Sequence, residues 1–310
     1  MTKNPLLIVL GPTAIGKTKL AVSVAAALNG EIISADSRQV FKGMDIGTGK
    51  DLDEYNINGK LIPYHLIDHK EPGMRYQVNA FKEDFYQVFE SITTQHKLPV
   101  LCGGTGMYIH SLLQHHEYTA IPVNETLRQK LMPYELSGLQ AVLKAYPPSL
   151  WLHADQSTRK RLIRAIEIAE YLKHNRLDTL PRIHFEPLII GLTSGVESRR
   201  TRIRERLEQR LQEGLIEEVE QLLANGVSKE ILVFYGLEYK FVIAFLSGEL
   251  NYQDFKERLF TAICQFAKRQ MTFFRKMEKD GVAIHWFDID QDSAIEVKVI
   301  NIYENKFLKT

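Results

Sequence analysis

Residues Gly11, Pro12, Thr13, Ala14, Ile15, Gly16, Lys17 and Thr18 make a GxxxxGK(S/T) run, a spacing whose chemistry is the binding of a polyphosphate. The glycines let the backbone curl so that successive N–H groups point inward as an anion nest. A helix opening behind the loop adds partial positive charge, Lys17 adds a full one, and the Thr18 hydroxyl suits a Mg²⁺ ion. A second cluster, Asp36, Ser37, Arg38 and Gln39, sets an acid, a hydroxyl, a guanidinium and an amide in consecutive positions. A carboxylate there can take a proton from an attacking amine or hydroxyl, and the amide presents the paired donor and acceptor that reads a base edge. The same residues would also serve as an Asx-turn or a helix cap. P-loop nucleotidases carry an acid at the end of a neighbouring strand to hold the metal. Here the apolar run 98–102 ends in Gly103-Gly104-Thr105. Without that acid ATPase and GTPase chemistry is disfavoured, and the phosphate reads better as a leaving group than as a transferred group. A small-molecule kinase that uses other acids, with Asp36 activating a hydroxyl toward a γ-phosphate, is the alternative.

Such groups act together only if the chain brings them together. Residues 5–10 read as a buried strand, and Leu20, Val24, Ala27 and Leu28 give helical spacing over 17–28, so the glycine loop lies between strand and helix. A second strand over 31–34 runs into the Asp36 cluster and then a glycine-rich loop, 43–49. Val78, Phe81, Phe85, Val88, Phe89 and Ile92 predict a helix over 77–96, and 98–102 is a further buried strand. This alternation predicts an α/β fold, a P-loop NTPase-like parallel sheet flanked by helices, with ligands at the carboxyl ends of the strands. From 116 to 150 the rhythm stops: no buried strand is evident, and Pro122, Pro133, Pro147 and Pro148 interrupt the segment. A mainly helical insertion is expected there, leaving 1–115 and 151–310 as the core with C-terminal helices. Within that core, helices are expected over 159–171, 198–223 and 251–279, the last with Phe255, Leu259, Ile263, Phe266 and Phe273 as its apolar stripe. Strands over 187–192 and 282–287 complete the sheet.

Composition narrows the classes. The chain is 45% hydrophobic and 25% charged, which excludes global disorder. Its 39 basic and 38 acidic residues leave a net charge of +1, so any nucleic acid must be bound by a local basic face and not by the field of the whole molecule. Cys102 and Cys264 have no CxxC or CxxH spacing, which points to neither a disulfide framework nor a zinc site. The apolar run 6–10 is too short for a signal-peptide core or a membrane span, and a cytoplasmic location is expected.

Taken in order, GPTAIGKT, ISADSRQVFKGMDIGTGK at 33–50, HLID at 65–68, CGGTGMYI at 102–109 and AKRQMTFFR at 267–275 resemble the tRNA dimethylallyltransferase family, over nearly the whole chain. The resemblance implies transfer of the dimethylallyl group of dimethylallyl diphosphate to N6 of adenosine 37 in tRNA, with Mg²⁺ as cofactor. It implies that the glycine loop, Lys17, Thr18 and Arg206 hold the diphosphate, that Asp36 accepts the N6 proton, and that Thr105 helps to hold a flipped base. It further assigns Asp36, Ser37, Arg38, Gln39, Thr105, Lys160, Arg161, Arg164, Lys240, Lys268, Arg269 and Gln270 to tRNA, and the 116–150 insertion to the anticodon stem-loop. A monomer is expected. On residue type alone the arginines of 199–210 are as compatible with a solvated face, since Glu205 and Glu208 interleave them. Phe273 and Phe274 read as core.

The chain departs from the family pattern in places. Asp51 follows GTGK where the family commonly has Pro, and Glu238 precedes Tyr239-Lys240 where it has Gly. Ser157-Thr158 stand for Asn-Asp, Ile263-Cys264-Gln265-Phe266 for Thr-Arg-Gln-Tyr, and Phe273 for Trp. Such changes bear on RNA affinity, and a tRNA binder that has lost catalysis is a third reading; intact Lys17, Thr18 and Asp36 argue against it.

Overall fold

A computed structural model describes residues 4–114, 117–152, 154–177 and 182–308. The chain forms two compact units, one of 1–113 with 183–310 and a second of 114–182.

In chain order the first unit holds β1 (Pro5–Leu10), α1 (Lys17–Ala27), β2 (Gly30–Ser34), β3 (Asn56–Ile57), β4 (Lys60–Leu61), β5 (Tyr64–His65), α2 (Val78–Thr94), β6 (Leu98–Gly103) and α3 (Gly106–Leu113). The second unit contributes α4 (Glu125–Leu131), α5 (Leu136–Lys144) and α6 (Arg159–His174). The chain then returns to the first unit with β7 (Glu186–Thr193), α7 (Val196–Gln212), α8 (Leu215–Ala224), α9 (Lys229–Tyr235), α10 (Leu237–Leu246), α11 (Tyr252–Lys279), β8 (His285–Asp288) and α12 (Ile295–Phe307).

Six strands pair in the order β5-β2-β6-β1-β7-β8, every pair parallel. The strands read as continuous apolar runs because both faces of the sheet are covered. Leu6, Ile8 and Leu10 face one core with Ile33, Leu101 and Ile189, against α2, α3 and α7 to α11. Leu7 and Val9 face the other, with Ile32, Val100 and Ile190, against α1 and α12. The doubly covered parallel sheet is thus the P-loop-type α/β fold that the alternation predicts.

Three details differ from the periodicity. The expected helix over 198–223 is two helices, α7 and α8, because Gly214 at φ +103° takes the left-handed conformation that ends one and starts the other. On α11 the buried stripe runs through Ile263, Ala267, Gln270 and Phe274, so Phe266 is turned outward, 41% exposed, and Phe273 is only partly buried. The insertion is longer than 116–150, whose first residue lies outside the described ones. It extends through α6 because Leu162, Ala165, Ile166 and Ala169 pack on Leu131, Leu139 and Leu143.

Candidate active site

Strand register decides what meets at the carboxyl edge of the sheet. Leu10 pairs with Gly103 and Ser34 with Cys102, so β1, β6 and β2 end side by side. The chain emerging from each end therefore carries the glycine loop, the 103–105 turn and the Asp36 cluster to one place. Ala35 N donates to Cys102 O, and Thr105 N donates to Ala35 O, closing two of these loops on each other. Between them lies a cavity of about 210 Å³ lined by Lys17, Thr18, Asp36, Thr105, Arg206 and Gln270, with Tyr235, Leu237, Ile263 and Phe266 as its less polar wall.

Gly16, at φ +80°, caps α1, and Lys17 Nζ donates to Pro12 O at 2.8 Å, folding its charge back over the loop. Desolvation by the surrounding protein, reinforced by Arg206, pulls the Lys17 ammonium down to about 8. The cation is held at a cost that an anion would offset. Burial pushes the neighbouring Cys102 thiol up to about 12, so it stays protonated and is no nucleophile at neutral pH.

Asp36 forms the turn and also lines the cavity. Its Oδ1 accepts from Arg38 N at 2.8 Å and Gln39 N at 3.4 Å, an Asx-turn, while the side chain lines the cavity. Ser37 N donates to Thr105 Oγ1 at 3.2 Å, which joins the two turns. Arg38 donates to Phe234 O and lies over the Phe234 ring, 5.3 Å from its centroid.

Two residues assigned to tRNA also brace the loops of the site. Gln39 accepts from Ser34 Oγ and donates to Gly49 O, both at 2.9 Å. One bond at each end of its amide makes it a strut to the 43–49 loop, and these two bonds leave its second N–H and second oxygen lone pair unused. Gln270, buried at 8% exposure, accepts from Thr13 N at 2.9 Å and donates to Gly104 O at 3.0 Å. It ties the phosphate loop to the Thr105 turn.

The conspicuous 33–50 and 65–68 motifs are largely scaffolding for that edge. Lys50, 1% exposed, donates to Phe41 O and Asp45 Oδ1 and pairs with Asp68. Glu218 on α8 accepts from the backbone N–H groups of Asp45, Ile46 and Gly47 and from the Tyr239 hydroxyl. A buried or multiply bonded charge of this kind fixes a loop because any other loop geometry would leave it unpaired.

Residues 39–277 match the IPP transferase family model, and residues 4–60 match the isopentenyl transferase model. The chain belongs to the IPP transferase family. It is 47% identical over 305 residues to tRNA dimethylallyltransferase 1 of Parabacteroides distasonis, covering 97% of this chain and 99% of that one. It is 50% identical over 283 residues to tRNA dimethylallyltransferase 2 of Porphyromonas gingivalis, covering 91% and 93%. Among solved structures, the full-length tRNA isopentenylpyrophosphate transferase of Bacillus halodurans superposes with a TM-score of 0.72 at 31% identity, covering 99% of this chain and 98% of that one.

Not every residue assigned to RNA by resemblance to the IPP transferase family reaches the cavity. Lys240, Lys268 and Arg269 are exposed on α10 and α11, outside its lining. Lys160, Arg161 and Arg164 lie in the second unit. There Arg161 pairs with Asp155 at 2.8 Å, and Arg164 donates to the carbonyls of Tyr118, Ile121 and Pro122 and pairs with Glu167. Arg164 is engaged in holding its own unit together. Conversely, Arg210, Lys50 and Glu218 were not assigned from sequence. Arg210 follows Arg206 at i+4 on α7, a spacing that puts both on one helix face and was the available signal. Among the described residues no helix is long and apolar enough to cross a membrane.

Proposed function

We propose that this chain transfers the dimethylallyl group from dimethylallyl diphosphate to N6 of adenosine 37 in tRNA, giving N6-dimethylallyladenosine and diphosphate. The observation that carries the reading is the convergence of Lys17, Thr18, Asp36 and Thr105 on one cavity with an apolar wall. Lys17, the loop amides and Arg206 hold the diphosphate and take up the charge that develops on it as the allylic carbon–oxygen bond breaks. The electron pair of that bond leaves with the diphosphate. The N6 lone pair forms the new bond to the allylic carbon, and the N6 proton passes to Asp36, whose Asx-turn fixes the carboxylate. Thr105 is placed to hold the base, which must leave the anticodon stack for N6 to enter a cavity of this kind.

The Thr18 hydroxyl at the phosphate-loop mouth suits Mg²⁺, which takes few protein ligands and completes its shell with phosphate oxygens and water; among the described residues no cluster of acidic, His or Cys side chains is placed to hold a metal by itself. Burial and then Asp51 push Glu54 upward, against the opposing pull of Arg206, Lys19 and Lys17. When bound, the ion would neutralise the leaving diphosphate. The 114–182 unit is the part we assign to gripping the anticodon stem-loop. Every group in this reading comes from one chain, so a monomer suffices, and a cytoplasmic location suits an enzyme that acts on tRNA.

The test is mass analysis of unmodified tRNA bearing A36 and A37 after incubation with the protein, Mg²⁺ and dimethylallyl diphosphate, with ATP alone as control. The expected result is a gain of one dimethylallyl group, localised to adenosine 37. tRNA bound without product would indicate a degenerate binder, and ATP consumed with a small acceptor would indicate the kinase.

A further inference from the structure

Arg210 carries a buried charge that its neighbours only partly satisfy. Its side chain lines the same cavity as Lys17 and Asp36 and also the phosphate-loop mouth. It is 8% exposed, yet its Nε has no hydrogen-bond partner among the described residues. Its carboxylate neighbour is Glu238, and that ion pair spans 3.6 Å, longer than a charge-assisted hydrogen bond. A guanidinium offers five donors in a planar fork, and leaving them unfilled in a buried place is costly.

Arg206 stands one helical turn away and raises that cost. It pairs with Asp51 and donates to Gly49 O at 3.5 Å. The two arginines repel: Arg210 is drawn down to about 10, first by burial and then by Arg206. Both press against Gly49, at φ +61°, where a Cβ would collide with the two guanidinium groups. The backbone has thus been thinned to let two like charges converge beside the phosphate loop.

We propose that Arg210 is a second guanidinium ligand for the diphosphate, beside Arg206, and that Glu238 is the counter-ion it holds until the diphosphate arrives. The inference rests on the reading above that this cavity takes dimethylallyl diphosphate. A diphosphate carries enough oxygens to fill donors that one carboxylate leaves open, and its charge removes the repulsion between the two arginines. Arg210 would thereby contribute to donor affinity without touching the adenosine.

Calorimetric titration with inorganic diphosphate, without magnesium, tests this on the full chain. Wild type should bind and Lys17→Met should abolish binding; failure of either overturns the reading of the cavity itself. Given both, Arg210→Met should weaken binding about 30-fold and Arg210→Lys about 10-fold, as expected for loss of charge-assisted hydrogen bonds. Glu238→Gln should tighten it a few-fold by releasing Arg210. The double variant Arg210→Met/Glu238→Gln decides the matter. If Arg210 merely neutralises Glu238, removing both charges restores wild-type affinity and the inference falls; if Arg210 binds the diphosphate, the double variant stays as weak as Arg210→Met. Unchanged binding by the Arg210 variants, with melting temperatures near wild type, would equally overturn it.

Discussion

The two units use charge in opposite ways. In the 114–182 unit the fully buried Glu167 carboxylate is saturated: it accepts from Asn124 N, from Arg128 at 2.8 and 3.0 Å, and from Arg164 at 3.2 Å. At the carboxyl edge of the sheet, Lys17, Arg206 and Arg210 line one cavity, Arg210 has its carboxylate partner only at 3.6 Å, and Lys17 and Arg210 are pulled below their ordinary values by burial and then by Arg206. A closed network stabilises a fold, whereas an open one stores electrostatic cost that a ligand can relieve. The distinction lies in the partners and not in residue type.

Asp36→Asn probes the open side and should have the largest effect. Asparagine keeps an Oδ1 acceptor for Arg38 N, so the Asx-turn survives while the base is lost. Single-turnover transfer to tRNA should slow by about 10³-fold, with diphosphate affinity within about two-fold of wild type. Equal losses of rate and diphosphate binding would make Asp36 a structural turn residue.

Glu167→Ala probes the closed side. It leaves Arg128 and Arg164 facing each other without their shared counter-ion, and should cost about 3 kcal/mol. Thermal melting followed by tryptophan fluorescence should report this, since Trp151 lies in the same unit. Diphosphate titration at a temperature where the variant is folded should match wild type. A fall in diphosphate affinity there would erase the contrast between the units.

The pH dependence sharpens the open side further. Lys17 is lowered from 10.5 to about 8 because burial disfavours its charge. Its proton is therefore present below about pH 8 and lost above it, the direction that removes positive charge from the anion site. Dimethylallyl diphosphate affinity should be flat below pH 8 and fall up to about ten-fold per unit above it, one proton being linked to binding. In Lys17→Arg, a side chain that keeps its charge, the break near pH 8 should vanish. A break that persists in that variant would belong to another group.

Much of this was legible in the residues themselves. The P-loop, the strands that carry it and the Asp36 cluster follow from a local spacing and from apolar runs, which are properties of consecutive residues. The jobs of Gln39 and Gln270 were not, because an amide offers the same donor and acceptor to a base as to Gly49 O or Thr13 N, and only the tertiary register brings those backbone groups within 3.0 Å. Helix α6 shows the same limit. Its apolar face is plain in the sequence, but nothing in its spacing says that the face packs on Leu139 and Leu143. The helical spacing of 259, 263 and 266 predicts Phe266 in the core, yet Ala267 is the buried neighbour and Phe266 lines the cavity.

The smallest expected effect separates two arginines that look alike in the sequence. Arg161 pairs with Asp155 where both side chains are more than half exposed, at 58% and 55%, so Arg161→Ala should move stability by no more than about 0.5 kcal/mol. Arg164, three residues on along α6, holds three carbonyls and Glu167, so any loss of tRNA binding in its alanine variant is confounded by damage to the unit. Arg161 is therefore the cleaner probe of whether this unit touches RNA. If it contacts a phosphate, Arg161→Ala should weaken tRNA binding modestly and reduce the slope of log affinity against log salt by about one, with unchanged melting. An unchanged slope would make Arg161 a solvated partner of Asp155, and the anticodon-binding face of the unit would have to be sought among its other exposed basic residues, beginning with Lys160.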